Sequence, residues 1–168
     1  MKLSLSPSGI DDAIKEIQRF KQDLQQKVDL LAMRLADEGV KIVSVKFQNA
    51  QYDGTNDVSV HLENRDKGHY AVVATGNAVL FIEFGTGVYY GTPAHPEADD
   101  SGMVRGGYGQ GHGKQNAWWY YGDLGTNGLD RGAGKVSTRG NPANMSAYTT
   151  VKELESKFDT IAKEVFSA

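Results

Sequence analysis

The chain has 168 residues, 39% of them hydrophobic and 23% charged, with a net charge of −3 and a pI near 5.8. That is enough for one globular domain with a core, and too acidic for a tight grip on a phosphate backbone, which needs clustered Lys and Arg. The absence of cysteine excludes disulfides and thiolate metal sites, and no apolar run approaches the ~20 residues of a membrane-spanning helix.

The opening MKLSLSPSGIDD lacks the charged-then-apolar pattern of a signal peptide, so the chain is expected to be made and used in a cytoplasm, away from membranes. A long amphipathic helix is predicted over 10–38. Ile10, Ala13, Ile14, Ile17, Phe20, Leu24, Val28, Leu31 and Leu35 recur at steps of three and four. Ser8 is its expected N-cap, Asp11 and Asp12 suit its first turn, and Gly39 is read as its end. Such a helix is about 42 Å long, more than a domain of this size needs to cover its own sheet, so part of the stripe is free to cover a neighbour. A coiled coil is the weaker reading, because paired charges flanking the stripe are missing.

An antiparallel meander is expected over 40–84. Val43, Val45 and Phe47 alternate with Ser44 and Lys46, and after a turn at Asp53 and Gly54, Val58, Val60 and Leu62 alternate with Ser59, His61 and Glu63. Asn64 to Gly68 reads as a turn, His69 to Thr75 as a third strand, and Gly76-Asn77 as a two-residue hairpin into a central strand. His61 and His69 read as ordinary sheet residues, since no ligand spacing links them.

That central stretch, NAVLFIEFGTG at 77–87, is the most apolar run, and only Glu83 interrupts it. A carboxylate there needs a cation or several N–H donors. Arg139 is the expected partner, ahead of Arg105, and Gly85, Thr86 and Gly87 form the expected sharp turn.

Fifteen of the twenty glycines fall between Gly85 and Gly140. A long loop is predicted over 88–117, with a high ordering cost that contact with another subunit would offset. Its GGYGQGHG lacks the GxxxxGK[ST] pattern and the strand-to-helix setting of a phosphate loop. His95, Glu97, Asp99 and His112 match no zinc spacing, so neither a metal nor a cofactor is expected. Trp118, Trp119, Tyr120 and Tyr121 read as a short aromatic strand which, with Tyr89 and Tyr90, is a candidate interface. A last helix is predicted over 142–166, with Asn141 as N-cap, Pro142 at its first position and a stripe of Met145, Tyr148, Val151, Leu154, Phe158, Ile161 and Val165. The expected fold is α+β, an antiparallel sheet of about four to five strands flanked by two helices, with a glycine-rich loop insertion.

Taken in order, EFGTG at 83–87, His95-Pro96, WWYY at 118–121 and TRGNPANM at 138–145 resemble the minor head–tail connector or tail-completion proteins of long-tailed bacteriophages. The resemblance covers most of the chain and is strongest from Asn77 to Phe166. It implies a non-enzymatic virion component, assembled in the host cytoplasm as a ring at the neck. Its partners would be its own copies and the neighbouring neck and tail proteins, with DNA passing through the lumen without tight binding. The ring contacts are expected at the sheet edge and the long helix. The competing readings use the 88–121 region: a small hydrolase or lyase with His95, Glu97 or His112 as its working groups, or a small-ligand binding module with the Trp118 to Tyr121 cluster as its pocket.

Overall fold

A computed structural model describes residues 7–108 and 116–167 of the chain. The expectations for residues 109–113 of the glycine string, and for His112, lie outside the described residues. The chain is an α+β protein with a long N-terminal helix, a C-terminal helix and two small antiparallel sheets.

Helix α1 runs over Pro7–Gln48, 42 residues, so Ser8 lies within it and Gly39 does not end it. Gly39 is instead a point of close approach. A Cβ there would meet Val72 Cγ2 at 3.1 Å and Leu154 Cδ1 at 3.2 Å, so the missing side chain lets a strand and a helix clasp α1 from two sides. The expected strand at Val43, Val45 and Phe47 is the last turns of α1. Val43 and Phe47 are buried at the i, i+4 spacing of one helix face, while Val45 is 55% exposed. Three alternating residues satisfied a period of two only because that run was too short to separate it from 3.6.

Strands β1 (Ser59–Asp66) and β2 (His69–Thr75) form the expected hairpin, with Val60 opposite Ala74 and Leu62 opposite Val72. The chain then departs from a meander. Gly76-Asn77 starts no hairpin, and the apolar run is a short helix, α2 (Val79–Phe84). Asp57, just before β1, accepts hydrogen bonds from the Asn77 N–H at 2.8 Å and the Ala78 N–H at 2.9 Å, which fixes the start of that helical turn. Ala78 and Ile82, one turn apart, enter the core formed with Val43 and Phe47 and bordered by Tyr52, Val58, Val60 and Ala74.

After the loop, β3 (Trp118–Tyr121), β4 (Leu129–Asp130) and β5 (Lys135–Thr138) make a second sheet in the order β3-β5-β4. Five strands are therefore present among the described residues, divided between two sheets. Helix α3 (Ser146–Ser167) runs back along α1, tied by Lys46–Glu153 at 3.3 Å, Glu38–Lys157 at 2.8 Å and Arg34–Glu164 at 3.1 Å. Such exposed pairs contribute about 0–1 kcal/mol each, so they set alignment more than stability.

Phe47→Ala should lower the unfolding free energy by about 3–5 kcal/mol through the cavity it leaves, read by urea denaturation. Backbone N–H donors hold the Asp57 carboxyl below its usual range. Its folded pKa is thus lower than its unfolded one, so its contribution is present above the unfolded value, about 3.9, and is lost as pH falls through the folded value. Asp57→Asn should accordingly flatten the acid side of the Tm profile, and an unchanged acid limb would contradict this reading.

Candidate assembly surface

Two features organise the surface: a buried junction that fixes the body, and apolar faces that the body leaves uncovered. The junction is built on Glu83, 5% exposed on α2. Its Oε2 accepts the Ala147 N–H at 2.8 Å, and its Oε1 accepts the Tyr148 N–H at 2.9 Å and the Nε2 of His95 at 3.0 Å. The carboxylate therefore caps α3 from 64 residues away, where the first turn of a helix leaves its N–H groups unpaired and favours negative charge. His95 Nδ1 accepts the Glu97 N–H at 3.1 Å, so Nε2 carries the proton it gives to Glu83, and a neutral imidazole satisfies both bonds. Phe84 packs against that ring at a tilt, 4.3 Å between centroids, and Tyr148 meets it edge-on at 5.5 Å.

The expected Glu83–Arg139 pair is not formed. Arg139 is exposed, and its backbone carbonyl accepts the Val88 N–H at 2.9 Å. The requirement for N–H donors was legible in the sequence; that they come from a helix start and a histidine was not. Asn141, expected to cap α3, lies five residues before it. Its Oδ1 accepts the Asp53 N–H at 2.7 Å, while Asn144 Oδ1 accepts the Gln51 N–H at 2.8 Å. The two asparagines thus strap residues 141–144 across the segment that leaves α1. Asp53, itself buried, receives the Asn127 N–H and the Thr138 hydroxyl on its carboxylate, joining the second sheet to the strap.

The Gly85, Thr86 and Gly87 turn is present and packs backbone against backbone. The Thr86 N–H donates to the Asn141 carbonyl at 2.7 Å, and Thr86 Oγ1 accepts the Asn141 N–H at 3.0 Å. Gly87 has φ +63°, and a Cβ there would lie 2.1 Å from the Arg139 carbonyl oxygen, so only glycine fits. The described part of the loop, expected to be ordered only by contact, is held within this chain. His95 and Ala98 are buried, the Tyr90 hydroxyl donates to the Met103 carbonyl at 3.0 Å, and Tyr108 packs on Phe81 at 5.8 Å while donating to the Gly85 carbonyl.

The aromatic strand is divided by its pleat. Trp118 and Tyr120 turn inward, whereas Trp119 is 55% and Tyr121 76% exposed. Burial, with Asp53 nearby, pushes the Tyr120 hydroxyl up to about 12, and it donates to the Asp123 carbonyl at 2.8 Å. Trp119, Ser137 and exposed Leu129 form one cross-strand row, with Lys135 Nζ 4.4 Å over the Trp119 ring. Of the other candidate interface residues, Tyr89 is exposed and Tyr90 half-buried.

The second uncovered face lies on α1, where the apolar stripe is legible in the sequence but its exposure is not. The hairpin tip reaches α1 at Asp29, whose carboxylate accepts the Gly68 N–H at 2.6 Å, and the far end of α3 reaches it at Arg34. Before Asp29 the helix projects for 22 residues, about 33 Å, with Ile10, Ile14, Ile17, Phe20, Leu24 and Val28 all 42–67% exposed. Among the described residues no group of three or more His, Cys, Asp or Glu side chains is placed to hold a metal ion, and no helix is long and apolar enough to cross a membrane. No family model, curated protein or solved structure matches this chain.

Glu83→Ala should cost at least about 3 kcal/mol, because it orphans two helix-start N–H groups and the His95 N–H. Arg139→Ala should stay within about 0.5 kcal/mol. Equal losses in the two variants, measured by chemical denaturation, would contradict the geometry of this junction.

Proposed function

We propose that this chain is a structural virion protein of a long-tailed bacteriophage, assembling as a homo-oligomeric ring at the neck that joins head to tail. The observation that carries this reading is large apolar surface left uncovered on two separate faces of one copy, the projecting part of α1 and the Trp119, Tyr121 and Leu129 face. Patches of that kind on a small domain are surfaces that other chains bury. The ordered EFGTG, His95-Pro96, WWYY and TRGNPANM segments, similar to those of neck proteins, supply the location.

Both strands of the hairpin, and β3 and β4 of the second sheet, are edges with unpaired backbone groups that a neighbour can complete. Head-to-tail contacts between unlike patches close into a ring when the rotation per copy divides the circle. Neighbouring neck and tail proteins are the remaining partners, and assembly takes place in the host cytoplasm. A chain of net charge −3 suits a conduit through which DNA slides without being held. A hydrolase would draw first on His95, yet both of its ring nitrogens are engaged in hydrogen bonds to Glu83 and to the Glu97 N–H.

Native mass spectrometry at rising concentration, with duplex DNA titrated in at physiological salt, tests the proposal. The expected result is an oligomer of fixed copy number above the dimer and no tight DNA binding. A protein that never exceeds the dimer, or one that holds duplex DNA tightly, would contradict it.

A further inference from the structure

We propose that residues 10–28 of α1 pair with the same segment of a second copy, antiparallel, as a short two-stranded coiled coil. It assigns one of the two faces that the neck reading leaves to neighbours, and gives that face a twofold contact, so that ring contacts fall to the Trp119, Tyr121 and Leu129 face. Ile10, Ile14, Ile17, Leu24 and Val28 are exposed and recur in alternating steps of four and three, with Lys21 in the one remaining position. That is a seven-residue repeat whose two apolar positions per heptad face a partner. Ala13 and Phe20 widen the seam on one side, and uncharged Gln18 and Gln25 flank the other, so like charges do not line its centre.

Lys21 selects the direction. In a parallel pair in register, each Lys21 would meet its own copy inside one core layer, two ammonium groups in the least solvated part of the contact. In an antiparallel pair centred on Arg19 the layers are Ile10 with Val28, Ile14 with Leu24 and Ile17 with Lys21, each made twice. Lys21 then lays its aliphatic stem on Ile17 and carries its charge outward.

The length of the projection selects the same arrangement. Among the described residues the hairpin tip is hydrogen-bonded to α1 at Asp29, and its Lys67 and Gly68 border the turn of α1 just before that point. An antiparallel partner centred on Arg19 reaches that point with its first turn, so pairing spans the projecting helix and ends where the body begins. A hollow of about 730 Å³ lies there, lined by Leu24, Gln25, Val28, Asp29, Lys67 and Gly68. The arriving helix end brings Asp11 towards Lys67 at the hairpin tip, while Asp12 and Lys27 keep their own-helix partners, Lys15 at 3.7 Å and Asp23 at 3.8 Å. A contact of this kind is twofold and closes on itself. Ring growth therefore needs another surface, and variants in this seam separate the two associations.

The chain has no cysteine, so single introduced thiols report without background. Ile14→Cys and Leu24→Cys proteins, mixed and treated with a short bis-maleimide, should give chiefly the 14-to-24 cross-link. At the dilute end of a light-scattering titration wild-type protein should show a species of twice 18.3 kDa, from which larger assemblies grow at higher concentration, and Ile14→Glu should lose that species while keeping its helical circular dichroism. Lys21→Leu should associate at lower concentration and admit a 14-to-14 cross-link, because the residue that forbids the parallel pair is gone. A monomeric wild type, a predominant 14-to-14 cross-link without the Lys21 change, or dimers that survive Ile14→Glu would each overturn the proposal.

Discussion

The body of this protein depends on one carboxylate. Glu83 sits among apolar neighbours, and an unpaired charge there would cost far more than the domain can spare. It is held by the first N–H groups of α3 and by a neutral histidine, so a single side chain joins α2, the loop around His95 and the start of the last helix. The last helix begins more than 60 residues after α2, and the three elements share no strand or helix ladder. Their mutual position follows from where the donors must point.

Around that carboxylate the backbone itself is interlocked. The turn at 85–87 and the strap at 139–144 approach so closely that glycine is required at Gly85, Gly87 and Gly140, each of which would otherwise drive a Cβ into the backbone of the opposite segment. The two sequence segments that carry most of the family resemblance are thus one physical object. A rigid junction of this kind gives a fixed base from which α1 projects and on which the second sheet presents Trp119 and Tyr121. In the proposed neck role, such a base lets each copy hold its neighbours at one repeated angle.

The α+β class, the hairpin, the aromatic strand and the two helices were legible because each has a period or a turn signal of its own. The end of α1 was not, since Val43, Val45 and Phe47 fit a strand as well as a helix over so few residues, and Gly39 resembles a stop although it serves close packing. The run from Val79 to Phe84 is apolar at every position but Glu83, which erases the difference between a buried strand and a buried helix. Strand β4 has two residues, too few to leave a pattern. At Glu83 the need for partners is legible in the apolar run around it, but His95 as one of them is not, because spacing along the chain says nothing about which loop folds back. The exposure of Ile10 to Val28 follows from where α3 and the hairpin stop, a tertiary fact that no helical stripe reveals by itself.

The central claim is that the uncovered faces exist to be buried in a virion neck. The most direct measurement is a cryo-EM reconstruction of the neck of particles purified from the proposed phage source of this chain. The account predicts a closed ring of density between head and tail into which the Glu83-centred body fits copy by copy. Particles whose complete neck contains no density for this chain would contradict it.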